Sequence, residues 1–421
     1  MNERMLKGPR GARAATAMIV GAALLLSACG PAATGPAAGG ATATQVLKIG
    51  AAVALTGPVS KEGNLVKDGY EIWQKAVNDK GGLTVGATRY KVEFVFYDDE
   101  SKADTASRLT EKLITEDKVS FILGPYSSGI TTATSTISER YKVLTIAPQA
   151  NADGIYERGY KYIFSVLPPA SNYLKGLVDM GLTLSPQPHR LAVLIRDDPF
   201  GIAAGEGAAK YAASKGYEVV FKEKFPANAT DVSTILTRVK ATNPDAMLAS
   251  TLFQDSVLLT KQAKDLQFAP KLSGFTAGPA LPDFVSSLGK DAEFVYGSEW
   301  WLPSLNYTGA VFGSTKDYAD LVRKAKGYEP GYHVASGSMA GLVLQLAIEK
   351  AGTIETEAVR KSLLALEPQT FWGPIGWDES GKNIRGTSIP VQIQGGKVTA
   401  VWPKEGRQAE PKYPTPAWSA R

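Results

Sequence analysis

Short apolar runs of strand length alternate with longer segments of helical period along most of this chain, and the pattern runs once, breaks at a proline-containing stretch and starts again. Parallel strands can be joined only through a long return connection, so this alternation predicts parallel sheets with crossover helices. The first set has strand candidates at 46–55, 90–97, 119–123 and 143–146, with helix candidates at 67–79, 104–116 and 128–141. The second has strand candidates at 191–195, 218–221, 246–250 and 272–275, with helices at 203–214, 232–241 and 256–266. Residues 162–171, which include Pro168 and Pro169, separate the sets and read as a crossing between domains. Further helices at 316–326, 333–351 and 356–366 follow. The expected fold class is α/β, with two doubly wound, Rossmann-like lobes joined by more than one crossing. In such sheets ligands sit beyond the carboxyl ends of the strands.

The N-terminus reads as an export signal over 1–28: Arg4, Lys7, Arg10 and Arg13 precede an apolar run from Ala14 to Ala28, too short to span a bilayer comfortably. The run ends in Leu26-Ser27-Ala28-Cys29, which resembles the bacterial lipobox. Cys29 is the only cysteine, so a disulfide framework and a cysteine-rich metal site are both excluded, and the thiol is expected to carry lipid. Residues 29–45 are rich in Gly, Ala, Pro and Thr and read as a flexible tether. The chain carries +5; Glu3 against the four basic residues gives the leader +3, leaving +2 for the remainder. Acidic and basic residues are interspersed along that remainder, which excludes a nucleic-acid binder.

Motifs for catalysis are thin. Gly376 to Asn383 nearly spells a phosphate loop, but Asn383 stands where a hydroxyl is needed and strand-like 387–393 follows, so a β-turn in a hairpin is the better reading. Gly201, Gly205 and Gly207 follow a strand without completing a dinucleotide loop, and read as tight helix packing. The two histidines, His189 and His333, read as surface or capping residues, and Asp98, Asp99 and Glu100 as a solvated turn. No enzyme, cofactor or metal site is expected.

The stretch Gly124-Pro125-Tyr126-Ser127-Ser128 lies between a buried-looking strand and a helix. Its serines can cap that helix, and the free N–H groups of the first turn can also receive a carboxylate. The neighbouring strand end, Ala147 to Asn151, faces the same edge with Gln149, Ala150 and Asn151. Two adjacent strand ends with hydroxyl and amide groups make a receptor for a small anion.

The order of these motifs, together with Leu55-Thr56-Gly57-Pro58, Gly81-Gly82, Tyr97-Asp98-Asp99, Asp197 to Gly201 and Gly373 to Asp378, resembles the leucine/isoleucine/valine-binding protein family of ABC-transporter solute-binding proteins. The resemblance covers nearly the whole chain after the tether. It implies the type I periplasmic binding protein fold, with a three-strand hinge crossing near Phe164, Tyr296 and Phe371. The lobes would be 46–165 with 298–370, and 166–297 with 371–405, leaving 406–421 as a tail.

The resemblance also assigns roles. Ser128, beside Ser127, and the Gln149–Asn151 strand end would hold a ligand carboxylate, and Phe200 would cover the ligand from the second lobe. Amino-acid binders of the family have threonine where this chain has Asn151. Thr276 falls where such binders place the acid that pairs with an ammonium, which argues against a standard aliphatic amino acid. Glu62 would line the side-chain pocket, or else be a solvated loop carboxylate. Leu252 or Phe253 is a further wall candidate, or core, and Trp300 and Trp301 either pack or stack on ligand. The implied function is that of a monomeric extracytoplasmic lipoprotein, held to the membrane by lipid on Cys29, that delivers a small polar solute to ABC permease subunits. The same fold can instead serve as the sensing subunit of a signalling system.

Overall fold

The structure, a computed structural model, describes residues 44–421, so the leader, Cys29 and nearly all of the tether lie outside the described residues. The first sheet contains β1 (Thr44–Val53), β2 (Leu83–Val85), β3 (Thr88–Asp98), β4 (Phe121–Leu123), β5 (Thr145–Ala147) and β6 (Ile163–Ser165) in spatial order β2-β3-β1-β4-β5-β6. All neighbours are parallel except β2, which folds back on β3. Helices α1 (Ser60–Asp79), α2 (Ala103–Thr115), α3 (Ser128–Tyr141) and α4 (Asp153–Tyr156) return the chain between them. Strands β4 and β5 are buried throughout, as continuous apolar runs covered on both faces must be.

After α5 (Lys175–Gly181), a second sheet forms from β7 (Arg190–Asp197), β8 (Glu218–Pro226), β9 (Ala246–Ser250), β10 (Leu272–Phe275) and β11 (Tyr296–Glu299). These strands are connected by α6 (Pro199–Ser214), α7 (Ser233–Ala241), α8 (Phe253–Asp265) and α9 (Pro282–Leu288). The chain then runs through a small ribbon, β12 (Thr308–Gly309) with β13 (Gly313–Ser314), and three helices: α10 (Thr315–Lys326), α11 (Tyr332–Ala351) and α12 (Thr356–Leu364). It returns as β14 (Ile389–Gln394) and β15 (Lys397–Ala400), antiparallel additions that complete the order β15-β14-β11-β10-β9-β7-β8. The result is a mixed α/β fold of two sheets, as expected.

Helix α11 is buried along nearly its whole length and lies against α1. There the Trp73 ring occupies the space where a Cβ on Gly341 would stand, and Ser338 Oγ donates to Gly69 O at 2.7 Å. This close approach ties the late helices to the first sheet although the second sheet lies between them in sequence. The glycines of α6 serve packing as well: a Cβ on Gly205 would stand 2.6 Å from Ile195, and one on Gly207 2.5 Å from Ser171. The near-phosphate loop is a turn, with Gly381 N–H on Asp378 O at 2.9 Å and an antiparallel bridge from Trp377 to Asn383.

Two expectations are corrected. Asp99 is fully buried, with one carboxylate oxygen on Ser101 N–H, rather than solvated. His333 is buried with both ring nitrogens unpartnered among the described residues, because the first turn of α11 is enclosed; His189 is exposed. Among the described residues no helix is long and apolar enough to cross a membrane, and no His/Cys/Asp/Glu group could hold a metal ion.

Candidate functional site

Strand β4 ends at Leu123, and the chain turns through Tyr126 into α3 with Ser127 at φ +78°. Ser127 caps α3 by accepting the Ile130 N–H at 3.4 Å. The cap is long, so this end of the helix keeps much of its donor character. Ser128, the first helical residue, is buried, and its Oγ accepts the amides of Asn151 at 3.1 Å and Ala152 at 3.0 Å. A hydroxyl has two lone pairs and one proton; both lone pairs are engaged here, so the proton is left to donate elsewhere.

The next strand end is held as firmly. Gln149 Nε2 donates to His333 O at 3.1 Å and Ser336 Oγ at 2.8 Å, and Asn151 Nδ2 donates to Pro168 O at 2.6 Å. The Asn151 Oδ1 is buried without a partner among the described residues. From the second sheet, the turn after β7 and the first turn of α6 bring Asp198 and Phe200. Phe200 meets the Tyr173 ring edge-on at 5.4 Å, and Tyr173 Oη donates to Tyr332 Oη at 2.7 Å.

These groups line a narrow cleft between the strand ends. Its walls come from the carboxyl ends of parallel strands in both sheets, which is where doubly wound folds bind ligands. Of the sequence-derived residues, Ser127, Ser128, Gln149, Asn151 and Phe200 line the cleft together. Ala150, Glu62, Phe253 and Thr276 do not. Ala150 packs in a small core cluster and Phe253 in the core of the second sheet. Thr276 Oγ1 donates to Thr251 O and accepts Thr251 N–H, each at 2.7 Å; its neighbour Ala277 reaches the cleft instead. Leu252, not Phe253, is the wall. Trp300 packs edge-on against Tyr173 at 5.0 Å, while Trp301 Nε1 donates to Phe371 O.

Sequence reasoning missed Tyr126, Tyr173, Tyr332, Leu167 and Asp198 as lining residues. Tyr126 and Asp198 stand inside motifs already singled out; nothing local marks the others. Asp198 caps α6 by accepting Gly201 N–H at 2.7 Å and pairs with Arg196 Nε at 2.7 Å, while the other arm of Arg196 reaches Asp255 at 2.5 Å. Glu62 is buried and accepts the Phe253 amide at 3.3 Å; burial pushes its carboxyl from the ordinary 4.5 up to about 7. The solvated-loop alternative for Glu62 is thereby excluded.

A family model described as periplasmic binding protein matches residues 46–397. The chain is 26% identical over 394 residues to Leu/Ile/Val-binding protein homolog 7 of Brucella abortus (strain 2308), covering 90% of this chain and 96% of the relative. Among solved structures, the leucine binding protein LivK of Thermotoga maritima superposes with a TM-score of 0.74 at 22% identity, covering 84% of this chain and 97% of that one. LivJ of Streptococcus pneumoniae, in complex with isoleucine, gives 0.72 at 22% identity over 84% and 98%. A solute binding protein of an ABC transporter from R. palustris, in complex with benzoate, gives 0.72 at 18% identity over 85% and 95%.

Proposed function

The chain belongs to the periplasmic binding protein family, whose members bind substrates outside the cytoplasm rather than turn them over, and from that premise we propose that it is an extracytoplasmic lipoprotein delivering a small polar solute to an ABC importer. The lobes are 46–165 with 298–370 and 166–297 with 371–405, followed by the 406–421 tail, and they close on the ligand. Lipid on Cys29 keeps the monomeric protein beside its permease. One acyl-bearing residue at the end of a tether holds the body near the bilayer without fixing its orientation.

The observation that carries this reading is the Ser128 hydroxyl. It is buried, both its lone pairs take amides from the β5–α4 loop, and it lines a cleft formed by the strand ends of both sheets. Ser127, Ser128, Gln149 and Asn151 surround the carboxylate or amide of the ligand, Ser128 with its free hydroxyl proton, and Phe200 closes from the other side. The isoleucine and benzoate in the two similar structures share a carboxylate, in keeping with such a subsite.

The test is a thermal-shift screen of the purified protein against amino acids, aromatic acids, amides, urea and small dicarboxylates. A ligand at a hundred times its dissociation constant adds about 2.7 kcal/mol of stability. A stabilising compound whose effect is lost in Ser128→Ala supports the reading. A protein that is free of bound solute by mass spectrometry and unmoved by every compound contradicts it.

A further inference from the structure

A second pocket opens where β11 ends. Its walls are Glu299 and the segment after it, the turn that leads into α11, and Ala280, Val398 and Gln408. It shares no lining residue with the cleft between the strand ends. The space is about 360 Å³, within the range of small-molecule sites.

Most of the wall is hydrocarbon, from Leu302, Pro303, Pro330, Ala280 and Val398. Arg323 lines the pocket but is engaged on every arm. Its Nε and Nη2 donate to the two oxygens of Glu329, each at 2.7 Å, and its Nη1 donates to Asp320 at 2.6 Å. An incoming anion would find little positive charge left.

Glu299 is placed differently. It is 1% exposed, and Oε2 accepts the Trp300 amide at 3.3 Å, with the Trp301 amide close by. Among the described residues no hydrogen bond reaches Oε1, and no lysine, arginine or histidine pairs with the carboxyl. Oε1 is turned toward Gly331 in the pocket wall, 3.8 Å from where a Cβ there would stand, so a hydrogen rather than a side chain faces it. Burial without a cation holds this carboxyl well above its ordinary 4.5. Its titratable neighbours give no relief: the Tyr173 and Tyr332 hydroxyls are themselves pushed up by burial, and the Glu299 charge adds to that. The missing partner is a cation that donates N–H and carries a short apolar body for the proline and leucine walls. A metal ion is not matched, since no group of three His, Cys, Asp or Glu gathers among the described residues.

We propose that the pocket at the end of β11 is a second binding site, for a small primary alkylammonium held by the Glu299 carboxylate. As the ammonium enters, the acid gives its proton to the buffer, so one positive charge replaces another. The site stands apart from the solute-binding reading, because the two spaces are separate.

Titration calorimetry of the purified protein with 1-butylammonium and with 1-butanol, at neutral pH in two buffers of different ionisation enthalpy, tests it. Butylammonium is expected to bind at millimolar concentrations, at least about tenfold more tightly than butanol, with a heat that changes with the buffer as the proton leaves. Glu299→Gln keeps the shape and removes the charge. It is expected to weaken butylammonium about tenfold or more and to abolish the buffer dependence. Ser304→Trp, at an exposed wall position, narrows the pocket without touching Glu299 and is expected to weaken the amine too; it decides the matter if the first variant does not fold. Asp198→Asn, in the other cleft, is expected to leave the amine bound as before. Equal affinity for butanol, wild-type affinity in Glu299→Gln, a loss confined to Asp198→Asn, or no binding to the wild type overturns the inference.

Discussion

The Glu62 carboxylate, in the first turn of α1, accepts the amide of Phe253 at 3.3 Å, so a side chain from a first-sheet helix ends on the N-terminus of a second-sheet helix, α8. Its neighbour Lys61 reinforces the bridge. The ammonium pairs with Asp283 at 2.7 Å and lies 4.7 Å from the centre of the Phe253 ring. The residue that family resemblance places in the pocket is thus, in this structure, a link between the two sheets.

That link is pH-dependent. Burial raises the Glu62 carboxyl from 4.5 to about 7, so the folded chain holds this proton more tightly than the unfolded chain. The cost of ionising it is absent below pH 4.5, grows as pH rises through the window to 7, and is complete above it. Glu62→Gln keeps an acceptor for Phe253 without the charge. It is expected to stabilise the protein at pH 8 by up to about 3 kcal/mol and to change little at pH 4. Asp99, also raised to about 7 by burial, contributes with the same sign in both proteins and drops out of their difference. Urea titrations of both proteins at the two pH values check this; an equal gain at both would show that Glu62 does not titrate in the window.

His333 works in the opposite direction. Burial holds its imidazole at about 3 against an ordinary 6.5, so below pH 6.5 the unfolded chain takes a proton that the folded chain refuses. Stability from this group is present above 6.5 and is lost as pH falls toward 3, by about 2 kcal/mol at pH 5. His333→Leu removes that loss and the two unpartnered nitrogens with it. Denaturation midpoints between pH 7 and 5 should fall more steeply for the wild type than for the variant; parallel slopes would contradict the assignment.

Replacing Ser128 with alanine leaves the Asn151 and Ala152 amides without their acceptor in a buried place. A cost of about 2 kcal/mol is expected even without ligand, measured as a lowered denaturation midpoint. An unchanged midpoint would mean that the hydroxyl does not hold the β5–α4 loop.

Gly207→Ala sets a Cβ 2.5 Å from the Ser171 backbone, where α6 crosses the segment leading to α5. Overpacking of this kind costs about 1 to 3 kcal/mol, and calorimetry should record the loss as a lower Tm. A variant as stable as the wild type would show that the contact can relax.

Helix α3 was legible to the residue, Ser128 to Tyr141, because a serine pair marks its start and the periodic pattern stops where Lys142 turns left-handed. Strands β9 and β10 were equally clear as bounded apolar runs. Leu83–Val85 was not, and Ile163–Ser165 and Tyr296–Glu299 were reached only through the family resemblance, as crossings near Phe164 and Tyr296, since three or four residues carry no readable period and owe their strand character to neighbours in the sheet. Within the cleft, the strand-end serines and amides stood out as polar residues after apolar runs. Tyr173 and Tyr332 did not, because an aromatic reads locally as packing and only the meeting of the crossing segment with α11 turns these two toward one space. His333 was misplaced for the same reason: helix position alone does not reveal that α11 is enclosed at its first turn.

Small-angle scattering with and without a ligand found in the thermal screen, on the wild type and on Ser128→Ala at the same ligand concentration, tests the central claim most directly. The expected result is a smaller radius of gyration for the liganded wild type and none of that change in the variant. Binding without compaction, or equal compaction in both proteins, would contradict a solute held at Ser128 between closing lobes.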